Sequence, residues 1–112
     1  MSNDAKTTCY ETAEQNLFTR FETERRGAYV LPYSGLLFAH LPPVAGSAVE
    51  TLTAVYVTHT VTIKGSQLSP LLLVIQKGRA ETIRVGGGQP SGNTNTPTVR
   101  EITVTEGQSD NV

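Results

Sequence analysis

The sequence predicts a small α+β domain: a mostly antiparallel β-sheet with one helix packed on it, between flexible N- and C-terminal segments. Three observations predict it. Residues 49–64 alternate with period two, the signature of a half-buried strand. Leu68, Leu71, Leu72 and Ile75 then recur at helical spacing. Polar residues gather at the two ends, 1–14 and 87–112, and leave residues 15–86 with ordinary apolar content. The overall hydrophobic share of 38% is therefore low because of the ends, not the middle. A folded body of about 70 residues buries only about 60% of its unfolded-chain surface, so self-association is one way to supply the missing burial.

The stretch before Gly27 supports two readings. Tyr10, Ala13, Leu17, Phe18 and Phe21 have helical spacing. Residues 17–22 also alternate as a strand, and Glu24-Arg25-Arg26-Gly27 suits a hairpin loop to a second strand at 29–31. The strand is the preferred reading. Pro32-Tyr33-Ser34-Gly35 is a turn, because proline fixes its own φ and glycine permits a positive one. Residues 36–41 form the next strand, stopped by Pro42-Pro43, and 44–48 form a loop.

Residues 49–64 read as one long strand with a wet side. Val55, Val57, Val61 and Ile63 lie on its apolar face, and Thr58, Thr60, Thr62 and Lys64 on the other. β-branched residues dominate, as strands prefer. The length exceeds that of a usual strand, so a bend is expected near Thr53–Ala54, where the pattern blurs. Lys64-Gly65-Ser66 turns the chain into a helix over residues 67–77. Ser66 is one candidate N-cap; Ser69 with Pro70 at the first helical position is the other. Gly78 suits the position just past the helix C-terminus, and the Lys77 cation suits that end of the dipole. The stripe Leu68, Leu71, Leu72, Ile75 is expected to cover Val55, Val57, Val61 and Ile63. Leu73 and Val74 fall off the stripe and are the candidates for an interaction surface.

Residues 80–85 close the body as a strand, ended by Gly86-Gly87-Gly88. Residues 86–98 have linker composition. Val99, Ile102 and Val104 give residues 99–105 some strand character, and such a strand could add to a sheet edge here or on another molecule. The composition around it favours disorder.

The residue inventory narrows the chemistry. Cys9 is the single cysteine, so no intramolecular disulfide can form. No apolar run approaches the roughly 20 residues of a bilayer span, and residues 1–10 lack the apolar core of a signal peptide; a cytoplasmic location without membrane contact is expected. His59 is the sharpest candidate for a base or ligand, because it sits on the apolar face of the best strand, where burial would lower its pKa. The competing reading is a histidine satisfied within the sheet. His40, His59 and Cys9 show no metal-ligand spacing, so neither a metal nor another cofactor is expected. Both aspartates, Asp4 and Asp110, lie in the polar ends, and no nucleophile-elbow motif is present, which disfavours a Ser-His-Asp enzyme. The glycine triplet at 86–88 feeds no helix pattern and is not a phosphate loop.

Seven basic and four acidic residues lie between Leu17 and Gly86, too mild an excess to mark a nucleic-acid footprint by itself. Lys64, Lys77, Arg79 and Arg84 are the candidates for that role. Three function classes follow. The preferred one is a non-catalytic protein-interaction domain that self-associates. The others are a nucleic-acid-binding module and a small enzyme or ligand-binding protein using His59, its small molecule unspecified.

Overall fold

A computed structural model describes residues 9–44, 49–87 and 97–107. Among these residues nine strands and one helix follow in the order β1 (Tyr10–Thr12), β2 (Phe18–Glu22), β3 (Ala28–Pro32), a 3-10 turn at Tyr33–Gly35, β4 (Leu36–His40), β5 (Glu50–Tyr56), β6 (His59–Ser66), α1 (Ser69–Gln76), β7 (Ala80–Arg84), β8 (Gly86–Gly87) and β9 (Thr98–Glu106). The coarse expectation of mostly antiparallel strands with one helix holds. A single sheet does not. The strands divide into a four-stranded sheet, β1-β7-β2-β3, and a five-stranded sheet, β4-β5-β6-β9-β8. The first is mixed, because β2 runs parallel to β7 and antiparallel to β3.

Both sheets contribute to one core. Phe21, Leu31, Ala80 and Ile83 come from the first, and Leu52, Ala54, Tyr56, Val61, Ile63, Val99, Ile102 and Val104 from the second. The helix leads from β6 in one sheet to β7 in the other and lies against β4 and β7. Leu68, Leu71 and Ile75 are its buried residues on that core, with Leu72 half-buried. The expected covering of Val57 is corrected: Val57 is exposed.

The predicted long strand is two strands. β5 and β6 pair antiparallel from Glu50↔Gly65 to Val55↔Thr60, which leaves Val57 and Thr58 as a two-residue connection. Paired residues share a face, and this register pairs even positions with odd ones. The core face is therefore even in β5 (Leu52, Ala54, Tyr56) and odd in β6 (Val61, Ile63). The blur near Thr53–Ala54 is this phase change, not a bend. The turn carries no glycine or asparagine, and neither of its residues has the positive φ of the usual hairpin turns. Its backbone is tied to neighbours instead: Val57 N–H donates to the Gly35 carbonyl at 2.8 Å, and Gly107 N–H donates to the Thr58 carbonyl at 2.7 Å.

The preferred strand reading before Gly27 agrees with the structure. β2 and β3 form a hairpin from Phe18↔Pro32 to Glu22↔Ala28. The Thr23 hydroxyl closes its loop by donating to the Gly27 carbonyl at 2.7 Å. The helix is shorter than expected, and Leu68 occupies the N-cap position in place of Ser66 or Ser69. Leu68 N–H donates to Glu50 Oε1 at 2.8 Å, so a carboxylate from β5 meets the helix N-terminus and replaces a local side-chain cap. Gly78 takes the left-handed conformation just past the helix, as expected. Its N–H donates to the Ile75 carbonyl and that of Arg79 to the Val74 carbonyl, the paired bonds of a Schellman motif.

Two expectations at the ends are corrected. Within the N-terminal polar stretch, Tyr10–Thr12 is a strand on β7, and Cys9 is buried with its Sγ donating to the Pro97 carbonyl at 3.5 Å. Within the C-terminal stretch, Thr98–Glu106 is the strand β9, paired along β6 from Thr98 to Glu106. Val99, Ile102 and Val104 are buried in the shared core, and that burial outweighs the polar composition around them. Gly86 and Gly87, expected as linker, pair with Val99 and Thr98. The rest of the expected flexible segments, 1–8, 88–96 and 108–112, and most of the expected loop at 44–48, namely 45–48, lie outside the described residues.

Candidate functional site

β9 stands between β6 and the two-residue β8, which covers it only at Thr98 and Val99. Among the described residues, nothing pairs with β9 on that side from Arg100 to Glu106. The register fixes which backbone groups are left open. Gly107 N–H bonds the Thr58 carbonyl, and Thr58 and Gly107 continue the β6–β9 register one step beyond His59↔Glu106. Residues on an antiparallel strand alternate between hydrogen-bonding toward one neighbour and toward the other. Glu101, Thr103 and Thr105 thus direct their backbone groups at β6. Ile102, Val104 and Glu106 direct theirs outward.

A groove of about 500 Å³ runs along this edge. One wall is β9 from Arg100 to Thr105, and the other is the β2–β3 hairpin tip, Thr23 to Arg26. Both sheets therefore shape it. The tip brings Arg25 and Arg26 beside Glu24; the strand brings Arg100 beside Glu101, all exposed. Arg26 N–H donates to Thr23 Oγ1 at 2.9 Å, which holds the tip in shape. A row of unpaired backbone donors and acceptors beside a charged, open trough can take an extended chain as a further strand.

The residues singled out from sequence lie elsewhere. His59 begins β6 at the rim of the core, opposite Glu106, with its ring centroid 6.0 Å from that of Tyr29. Its Nδ1 is hydrogen-bonded to the Thr58 hydroxyl at 2.8 Å, and it does not line the groove. Of the two interaction candidates, Leu73 is exposed, but Val74 packs against the core, so the pair forms no joint patch.

The four candidate cations do not form one strip. Lys64 lies on β6, Lys77 caps α1, Arg79 follows it and Arg84 ends β7. Arg84 is engaged: its Nη2 donates to Glu11 at 2.7 Å and its Nε to Glu22 at 3.4 Å. Those two carboxylates raise its pKa, Glu11 most. Arg20 bonds the other oxygen of Glu22 at 2.9 Å and, with Arg84, holds that carboxyl below its ordinary range. This outward cluster links β1, β2 and β7. Among the described residues, no three His, Cys, Asp or Glu side chains converge to hold a metal ion, and no helix is long and apolar enough to cross a membrane.

Reading the sequence missed the groove because its walls come from segments some 75 residues apart. The one local signal was the strand character of Val99, Ile102 and Val104. The chain matches no family model, no curated protein and no solved structure.

Proposed function

We propose that this protein is a non-catalytic interaction domain that binds an extended polypeptide segment by strand addition to β9. The observation that carries this reading is the open edge from Arg100 to Glu106 beside the groove under the β2–β3 tip. Backbone bonds from Ile102, Val104 and Glu106 would supply affinity, and the alternating side chains of the added strand would supply specificity. The flanking charges are mixed, so the bound segment needs both acidic and basic residues rather than a single sign.

Peptide-library selection followed by amide chemical-shift mapping tests the reading. Bound peptides should shift the amides of β9 and of Thr23–Arg26. The Glu106→Pro variant removes an outward N–H at an exposed edge position, where proline is tolerated, and it should weaken binding while staying folded. Binders that map to another face would overturn the proposal.

A further inference from the structure

We infer that the segment β9 receives is β9 of a second copy, in an antiparallel register with Thr103 on the two-fold axis. This rests on the strand-addition reading and specifies its partner. A two-fold axis requires the same strand on both sides, so β9 must be complementary to itself. The outward-bonding positions Ile102 and Val104 must then face outward-bonding positions of the partner strand. With Thr103 central, Ile102 meets the partner's Val104 and Val104 meets the partner's Ile102, so both pairs exchange backbone bonds. The same register brings Arg100, the residue at the β6–β9 bulge, near the partner's Glu106, twice by symmetry. It also sets Glu101 beside the partner's Thr105, so no like charges are opposed. Moving the axis to Ile102 would place Glu106 beyond Arg100, and moving it to Val104 would set Ile102 against the partner's Glu106. Charge complementarity therefore selects one register.

The groove suits this strand. β9 carries Glu101 and Glu106 against one arginine, and the facing hairpin tip carries Arg25 and Arg26 against Glu24. The excess on each side is of opposite sign. The joined strands make one ten-stranded sheet from the two five-stranded ones, and they cover the edge that the described residues of each copy leave unpaired.

The experiment is native mass spectrometry with light scattering over a concentration series of the full chain. Wild type should show a dimer. Thr103→Lys brings two cations together at the axis on an exposed position, and it should weaken dimerisation by roughly tenfold or more. Arg100→Glu and Glu106→Arg should each weaken it, and the double swap should restore it, which a merely structural role for either residue would not do. Thr103→Cys should link the copies by a disulfide, since a non-hydrogen-bonded antiparallel pair lies within disulfide reach and Cys9 is buried away from it. A monomer that still binds library peptides at β9 overturns the dimer and leaves strand addition standing. A monomer that binds none at β9 overturns both. A dimer indifferent to Thr103→Lys and to the charge swap uses another face and also overturns this inference.

Discussion

Phe21 of β2 and Tyr56 of β5 meet edge to face, with ring centroids 6.1 Å apart and planes at 76°, and so join the two sheets at the core. Both rings are fully buried. Phe21→Ala removes one side of this contact and leaves a cavity, at a cost of about 3–5 kcal/mol. Tyr56→Phe should do the opposite. The Tyr56 hydroxyl is buried and makes no well-formed hydrogen bond among the described residues, the nearby Thr19 hydroxyl donating to the Ala80 carbonyl instead; burial, with Tyr33 nearby, pushes its phenol well above the ordinary range against a lowering by Thr19. Removing an unsatisfied hydroxyl should be neutral or stabilising, by up to about 1 kcal/mol. Urea denaturation of both variants checks the pair; a large loss in Tyr56→Phe would show that the hydroxyl is satisfied.

Gly65 lies on β6 where a bulge shifts the β6–β9 register, and a Cβ there would collide with the Thr98 carbonyl. The obstacle is backbone and cannot rotate away. Gly65→Ala should cost about 1–3 kcal/mol by overpacking. Gly27→Ala is the control: its φ of +77° strains an alanine, but open space surrounds it, so the cost should be nearer 1 kcal/mol. Thermal melts that rank the two the other way would count against the β6–β9 pairing.

The helix gives a graded test along its own turn. Leu71 is fully buried, Leu72 half-buried and Leu73 exposed. Leu71→Asp should abolish cooperative unfolding, because it buries an unpaired carboxylate. Leu72→Asp, on the same predicted stripe, should destabilise less. Leu73→Asp should leave the melting temperature close to wild type. Circular dichroism melts of the three decide whether α1 faces the core as described.

Cys9 is held neutral by burial, which pushes its thiol up to about 11 against a bonding contribution from its surroundings and the Arg84 charge. The folded pKa lies above the ordinary value of 9.0. Its contribution to stability is therefore complete below that value and is lost as pH rises from 9.0 toward 11. Cys9→Ala should flatten that alkaline fall, read from urea midpoints across pH. In the wild type at neutral pH, thiol alkylation should be slow and should follow unfolding; fast labelling of the folded chain would contradict the burial of Cys9 against Pro97.

Local features were legible in proportion to how locally they are enforced. Gly78 ends the helix because the C-terminal bonds close within five residues. The β2–β3 hairpin was legible because its loop and both strands lie within fifteen residues. The β5–β6 turn was not, since Val57 and Thr58 carry no turn chemistry, and hydrogen bonds to Gly35 and Gly107 hold it from outside. Period-two alternation survives such a turn with its phase inverted, so two strands read as one. The groove was the least legible feature. His59, Leu73 and the basic residues stood out by type, whereas Arg25, Arg26 and Arg100 gain a shared wall only from the packing of two sheets.

By itself the sequence determined the mostly antiparallel strands, the single helix and its glycine stop, and the inventory from which any chemistry must be built. These follow from side-chain periodicity and backbone preference, which act over a few residues. The tertiary structure alone decided that the strands form two sheets, that residues 98–106 complete the second of them, and that among the described residues nothing pairs with one edge of β9. Strand pairing is a choice among distant partners, settled by which arrangement buries Val99, Ile102 and Val104 in the shared core, and no local pattern encodes it.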